Sequence, residues 1–350
     1  MLCLLDLSAA FDTVDHAIML SRLEKMCGIS GRALRWLRAY LGGRTQCVKY
    51  GGKCSTPATL LYGVPQGSVL GPLLFVLYTA QLDDVARSHN CKLSSYADDN
   101  QLYVHCNAKD AVVAASSLER CVAEISGWMA SNRLKLNPSK TELMWFSTPH
   151  RIANFNKVPI DISSVTINPT TTARSLGVVL DEELKLSKHV ASVCRSCYYQ
   201  LRQLRHIRRY LDLDSATTLV NSFITSRIDY CNSLLAAAPR YQIDELQRVQ
   251  NSAARLLLKL PKCDRRLRVL VQHRLHWLRV PERITFKLCT LVYRSLHGAA
   301  PSYLAELCVP MSGNVYRRHL LSADRGLLEV PRRSLETYGP RAFRIAGPVA

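Results

Sequence analysis

Near residue 184 the hydrophobic period of the chain changes, and that change limits the folds open to it. Before it, apolar runs of strand length alternate irregularly with amphipathic stretches of helical period. After it, only the helical period persists, at about 187–210, 214–235, 240–260 and 281–297. A chain of 350 residues with 48% hydrophobic side chains holds enough apolar material for two or three domains with real cores, which excludes disorder as its dominant state. The first part reads as α+β, because strands and hairpins interrupt the strict strand–helix alternation of a doubly wound sheet.

The local signals in the first part are specific. Residues 2–7 read as a buried strand, followed by a helix over 13–26 that Gly28 stops, and a second helix from the N-cap candidate Ser30 to Gly42 and Gly43. A hairpin is expected around Gly51-Gly52, with flanks 45–50 and 53–61, and one long helix over 68–87. Residues 92–105 form a second hairpin with Asp98 and Asp99 at its tip. An amphipathic helix follows over 110–131, carrying Val112, Leu118, Val122, Ile125 and Met129, and then strands at 142–146, 158–160, 165–167 and 176–180.

Charge divides as the period does. Basic residues outnumber acidic ones 46 to 27, a net of +19. Residues 1–150 hold 15 Lys/Arg against 12 Asp/Glu, whereas 151–350 hold 31 against 15. Nearly all of the excess therefore lies in the helical part, and it calls for a polyanionic partner, a nucleic acid or an anionic surface. No apolar run reaches the roughly 18 residues of a membrane span, and the stretch 68–79 is broken by Gly71 and Pro72.

Thirteen cysteines follow an opening that has no basic n-region and is interrupted by Asp6, so they read as reduced intracellular thiols, mostly core filler. Cys194 and Cys197, with His206 beyond them, have half of a zinc-site spacing. Both thiols sit in a helical pattern and no second C-x-x-C follows, so packing is the expected role.

The acids of the first part carry the chemistry. Asp6 lies at the end of the opening strand and Asp98-Asp99 at a hairpin tip, and such positions can gather carboxylates around hard divalent cations. The segments LLDLSAAFDTVDH at 4–16, GVPQGSVLGP at 63–72 and YADD at 96–99, in that order, resemble the A, B and C motifs of reverse transcriptases. They are most similar to those of LINE-like non-LTR retrotransposons in the jockey and CR1 neighbourhood. The likeness continues through NPSKTE at 137–142 and SLGV at 175–178.

That resemblance implies a right-hand polymerase palm, ferredoxin-like with an antiparallel sheet, over 1–182. A basic helical thumb or connection would span 183–297, and an Arg/Pro-rich segment 298–350. It implies RNA-directed DNA polymerisation with Mg²⁺, or Mn²⁺ in its place, on an RNA template and a DNA primer or target, with deoxynucleoside triphosphates as substrates. Asp6, Asp98 and Asp99 would hold metal, and Phe11 would lie under the incoming sugar and exclude a 2′-hydroxyl. Pro65, Gln66, Gly67 and Tyr96 would meet the nucleotide and template, Lys140 would meet the leaving pyrophosphate, and Leu176-Gly177 would form the primer grip. Asp12 and Asp15 would lie at a helix start, where acids suit the positive end of the dipole.

The fingers that family members carry before motif A have no counterpart in the five residues ahead of Asp6. The expectation is accordingly a fragment of weak or no activity, in the nucleus or cytoplasm. The competing reading is a catalytically silent nucleic-acid-binding remnant of a decayed element.

Overall fold

The computed structural model describes residues 1–153, 155–162, 164–311, 327–332 and 339–350. The chain divides into two units: Met1–Gly177 with Asp181–Glu183, and Val178–Leu180 with Leu184–Ala350. Of the Arg/Pro-rich segment 298–350, residues 312–326 and 333–338 lie outside the described residues.

In the first unit, strand β1 (Leu2–Leu5) is followed by helices α1 (His16–Lys25), α2 (Gly31–Leu41), α3 (Leu70–Thr79) and α4 (Leu82–Ser88). The hairpin β2 (Lys92–Tyr96) and β3 (Asp99–Tyr103), helix α5 (Ala111–Ser131) and strand β4 (Glu142–Met144) complete the frame. The central sheet has the order β4-β1-β3-β2 and is antiparallel throughout. Cys3 is opposite Leu102 and Leu143, and Leu5 is opposite Asn100. This row forms one face, buried in the same cluster as Leu118, Val122, Ile125 and Met129 of α5. By the two-residue repeat of a strand, Leu4, Asp6, Asp99, Gln101 and Glu142 belong to the other face.

Several elements end where side chains compete for backbone groups. The expected strand 2–7 stops at Leu5. Leu7–Ser8 pairs with Lys135–Leu136 in a separate small sheet, while the Asp6 carbonyl accepts from the Asn137 amide at 2.9 Å. The expected helix 13–26 begins only at His16, because Asp15 is its N-cap and accepts from the amides of Ala17 and Ile18 at 2.8 and 3.1 Å. The single helix expected over 68–87 is broken between Thr79 and Leu82. There the Tyr78 carbonyl accepts from the Arg22 guanidinium, and the Thr79 hydroxyl bonds back to the Phe75 carbonyl at 3.0 Å. Val112, expected on the buried stripe of α5, is 63% exposed; Ala111, Ala114 and Ala115 fill that end of the helix face instead.

The Gly51-Gly52 hairpin forms, with Lys49–Tyr50 against Lys53–Cys54 and Thr45–Gln46 against Ala58–Thr59. The strand expected at 158–160 falls at Ile160–Ile162, paired with Val165–Ile167. That expected at 176–180 is Val178–Asp181, and Leu176-Gly177 is the turn before it, with φ of 45° and 81°.

The second unit is helical: α6 (Ser187–Ile207), α7 (Leu213–Val220), α8 (Arg240–Leu258), α9 (Leu267–Arg274) and α10 (Val280–Leu296). The expected helix 214–235 breaks into α7, a π turn at Asn221–Thr225, Ser226–Asp229 and a 3-10 turn at Asn232–Leu235. The hydroxyls of Thr217, Thr218, Ser222 and Ser226 each bond the carbonyl four residues back, which loosens the regular ladder. Cys197, Leu201 and Leu204 of α6 share a buried cluster with Val249, Ala253 and Leu257 of α8. Burial pushes the Cys197 thiol up to about 12 and Cys194 to about 11, so both are packed as neutral thiols, as the helical period implied. All thirteen cysteines are free, and no described helix is long and apolar enough to cross a membrane.

Candidate functional site

The β2–β3 hairpin turns through Ala97 and Asp98, since Tyr96 pairs with Asp99. The tip is thus one residue earlier than the Asp98-Asp99 pair expected there. Ala97 takes the left-handed conformation at φ 56°, and Asp99 begins the returning strand. Asn100 holds this geometry. It is only 1% exposed, donates from Nδ2 to the Asp98 carbonyl at 3.1 Å and accepts from the Ser95 hydroxyl at 2.6 Å. Nothing in the acidic motif singled it out, although an asparagine beside a tight turn is itself a turn signal.

Because Leu5 is opposite Asn100, extending the register by one residue sets Asp6 level with Asp99 on the same face of the sheet. The Asp99 carboxyl is pushed above the usual carboxylate range, by burial first and then by the negative charges of Asp98 and Asp6. The Lys140 ammonium stands 3.7 Å from Asp6 Oδ2, delivered by the 3-10 turn Pro138–Lys140 that follows the Lys135–Leu136 strand. Asp6 Oδ2 is shielded from solvent and has no hydrogen-bond partner. Tyr96 is exposed on the Asp99 side of the hairpin. Gln101, one strand repeat from Asp99, donates to the Ser175 hydroxyl at 2.8 Å, which brings the Leu176-Gly177 turn to this face of the sheet.

A second group gathers around Phe11. Its ring packs on Phe75 of α3 with centroids 4.8 Å apart, and its carbonyl accepts from the Val64 amide at 2.9 Å. The Gly63 amide donates to the Val14 carbonyl at 2.8 Å, and His16 Nε2 lies 2.7 Å from the Gly63 carbonyl. Gly63 has φ +91°, and a Cβ there would meet the Asp12 carbonyl oxygen at 3.0 Å, so only glycine permits this approach. The loop next places Gln66 Nε2 at 2.9 Å from Asp12 Oδ1, while the Ser68 hydroxyl donates to the Pro65 carbonyl at 2.6 Å. Asp12 therefore differs from the role expected of it. It lies in the Ala10–Asp12 3-10 turn and anchors a glutamine, and Asp15 alone caps α1.

The structure thus brings Asp6, Asp98, Asp99 and Lys140 together, and separately docks Pro65, Gln66 and Gly67 against the segment that bears Phe11. Among the described residues no three His, Cys, Asp or Glu side chains enclose a metal position by themselves. An open arrangement of this kind, in which one or two carboxylates contribute and phosphates and water complete the shell, is the way Mg²⁺ is held beside a phosphate substrate. Asp6 Oδ2, which has the Lys140 ammonium 3.7 Å away but no hydrogen bond, and the Asp99 carboxyl, raised by burial and then by the charges of Asp98 and Asp6, fit a cation there.

The sequence profile of the reverse transcriptase (RNA-dependent DNA polymerase) family matches residues 1–180. The chain is 28% identical over 265 residues to a probable RNA-directed DNA polymerase from transposon BS of Drosophila melanogaster, covering 73% of this chain and 29% of that protein. It is 29% identical over 258 residues to the corresponding protein of transposon X-element of the same fly, with coverages of 72% and 28%. To the RNA-directed DNA polymerase from mobile element jockey of Drosophila funebris it is 24% identical over 271 residues, covering 74% and 28%. The chain spans less than a third of the length of these curated relatives. A solved structure of telomerase from Candida albicans with a fragment of telomeric RNA overlaps 79% of the chain and 49% of its own at 15% identity. Its TM-score of 0.34 is too low to bear on the fold.

Proposed function

The chain belongs to the reverse transcriptase (RNA-dependent DNA polymerase) family, and from that premise we propose that its first unit is a polymerase palm of the ferredoxin-like kind. On this reading it extends a primer 3′-hydroxyl with deoxynucleotides on an RNA template, as a module of a LINE-like element. The observation that carries the reading is the common end of β1 and β3, where Asp6 and Asp99 share a face and Asp98 occupies the adjoining turn.

Asp6 and Asp98 would hold two divalent cations, Mg²⁺ or Mn²⁺, with Asp99 completing the set. Such cations supply activation of the attacking hydroxyl and stabilisation of the leaving oxygen in an in-line displacement at phosphorus. The protein's own part is positional and electrostatic. The buried Asn100 fixes the turn, so the carboxylates are aligned before substrate arrives. Lys140 stands 3.7 Å from Asp6 in the free protein, and beside a bound triphosphate its ammonium would meet the phosphate charge or return a proton to the departing pyrophosphate. Phe11, stiffened by Phe75, would floor the sugar site, and Gln66, oriented by Asp12, would face the nascent pair together with Pro65 and Gly67. Tyr96 and the Leu176-Gly177 turn, on the face of the carboxylates, suit contact with the nucleotide and the primer end. The basic second unit, thumb-like in this reading, would hold the template and primer through their phosphates.

The test supplies the purified chain with oligo(dT) on poly(rA), Mg²⁺ and dTTP, beside an Asp98→Ala variant. Templated incorporation by the parent and its loss in the variant are the expected result. Equal incorporation by both proteins would remove the aspartates from the chemistry.

A further inference from the structure

Five of the thirteen cysteines are buried, but Cys47 and Cys54 fill no core: both are exposed on the Gly51-Gly52 hairpin, and neither is in a disulfide. Lys49 is opposite Cys54, and the Ser55 amide donates to the Val48 carbonyl at 2.9 Å, so the register continues through Val48. Side chains alternate along a strand, which puts Cys47, Lys49 and Cys54 on one face.

Cys47 and Cys54 are diagonal neighbours on that face. In a regular ladder such residues are about 7–8 Å apart, too far for their thiols to interact closely. This ladder is not regular. Gln46 pairs with Ala58 and Val48 bonds with Ser55, so the single residue Cys47 is opposite the two residues Thr56 and Pro57. That is the count of a β-bulge, which bends the strand and raises the local twist. The two side chains meet, with the Cys54 thiol within hydrogen-bond reach of the Cys47 sulfur.

The surroundings favour sulfur exchange over the other uses of a thiol pair. Between Glu24 and Asp83 the chain has no acidic residue, while Arg44, Lys49 and Lys53 belong to the hairpin and its approach. Positive charge stabilises a thiolate and draws an anionic reactant. A structural cation would need further ligands. Among the described residues no three His, Cys, Asp or Glu gather to supply them, and Lys49 on the shared face would repel the ion. The hydrogen bond with Cys47 holds the Cys54 thiol above its ordinary pKa, which keeps the proton on Cys54 and leaves the Cys47 sulfur to attack first.

We propose that Cys47 and Cys54 form a reversible dithiol–disulfide site, oxidised by a small anionic disulfide of the glutathione kind. Cys47 gives its proton to water and its sulfur attacks one sulfur of the oxidant, whose S–S bond breaks to release one thiolate. Cys54 then gives up its proton and attacks the Cys47 sulfur of the mixed disulfide, expelling the second thiolate. The two thiolates take up the two protons. The protein thus loses two hydrogens and two electrons, the oxidant leaves as two thiols, and an excess of the reduced thiol reverses each step. Exposed disulfides are the readily reduced, regulatory class, in contrast to the buried structural ones.

The experiment equilibrates the full chain with oxidised and reduced glutathione, the reduced form held at a fixed concentration, then quenches with acid, alkylates free thiols and digests with trypsin. Trypsin cuts after Lys49 and Lys53, so a Cys47–Cys54 disulfide appears in the mass spectrum as two joined peptides, two hydrogens lighter than their sum. The pair should be half oxidised at roughly tenfold less oxidised glutathione than half-modifies the exposed thiols Cys27, Cys106, Cys263 and Cys289, because its second step is intramolecular. Cys54→Ser should instead retain glutathione on Cys47. Cys91 and Cys121 also share a hydrogen bond, but they are 2% and 0% exposed and should stay reduced until urea is added.

A parent chain that holds glutathione on Cys47 as firmly as Cys54→Ser does would show that the two sulfurs do not join, and would overturn the proposal. So would conversion of the pair only at the ratio that modifies the other exposed thiols, or equal oxidation of Cys91 and Cys121 without urea. Excess reduced glutathione should return both thiols to the free form, and a bond that persists would remove the reversibility. The readout is mass alone, so it stands whether or not the chain polymerises.

Discussion

Gln66 donates from Nε2 to Oδ1 of Asp12 at 2.9 Å, joining two segments 54 residues apart in sequence. The bond sets the direction in which the glutamine amide presents its remaining donor and its acceptor. It belongs to the group of contacts that dock the loop at Gly63 on the segment bearing Phe11.

If Asp12 orients Gln66, Asp12→Ala and Gln66→Ala should act as one change. Each is expected to raise KM for template–primer or nucleotide by roughly threefold to tenfold, the range of a partly exposed hydrogen bond to a charged group. Turnover should change less, and the double variant should be no worse than either single one. Asp12→Asn, which keeps an acceptor oxygen, should recover part of the loss. Steady-state kinetics with each substrate varied in turn checks this, and additive losses would break the link.

Two glycines should respond oppositely to alanine. Gly63→Ala places a Cβ at φ +91° against the Asp12 backbone and should destabilise by about 1–3 kcal/mol. Gly127, within α5, has open space where a Cβ would sit, so Gly127→Ala should stabilise by about 0.5–1 kcal/mol. Urea unfolding of the two variants decides both signs.

Asp99 gives a pH dependence. Its folded pKa is raised, so it contributes stability that is complete below the unfolded value and lost as pH rises through the folded one. Asp99→Asn should therefore be more stable than the parent near neutral pH, and the advantage should vanish by roughly pH 3, below the ordinary aspartate value. The carboxylate is largely open to water, which keeps the effect small. Denaturant midpoints at the two pH values test it, and an advantage that grows on acidification would reverse the assignment.

Arg22 is sandwiched between the rings of Tyr78 and Trp128, 4.8 Å from each centroid, and donates to the Tyr78 carbonyl and the Asn132 side chain. Arg22→Met should cost about 2–4 kcal/mol through the lost charged hydrogen bonds and ring contacts. Arg22→Lys should not restore the stability, because an ammonium cannot reach both acceptors from a position between two rings. Equilibrium unfolding of the pair checks the order.

Lys140 competes with any cation for Asp6. Lys140→Met should tighten Mn²⁺ binding by roughly twofold to fivefold, the range of an exposed ion pair. The free-ion electron paramagnetic resonance signal reads this without turnover. Asp6→Asn should weaken the same binding.

Much of the first unit was legible in the sequence because its signals are local. The apolar run that Asp6 interrupts, glycines at Gly51-Gly52 and the stripe Leu118, Val122, Ile125 and Met129 depend on backbone sterics and side-chain spacing within a few residues. The same reading missed the break after Thr79, because Arg22 causes it from another helix, and it set the hairpin tip one residue late. The short strand Lys135–Leu136 and the helix α9 carry too few periodic positions to stand out.

The sequence by itself determined the order of the acidic and glycine motifs, the family they resemble, and the concentration of positive charge after residue 150. Only the tertiary structure decided that Asp6 stands level with Asp99 and that Asp12 holds Gln66. These relationships join residues distant along the chain. They follow from which strand faces and helix ends must be buried together, and burial is settled by the whole fold at once.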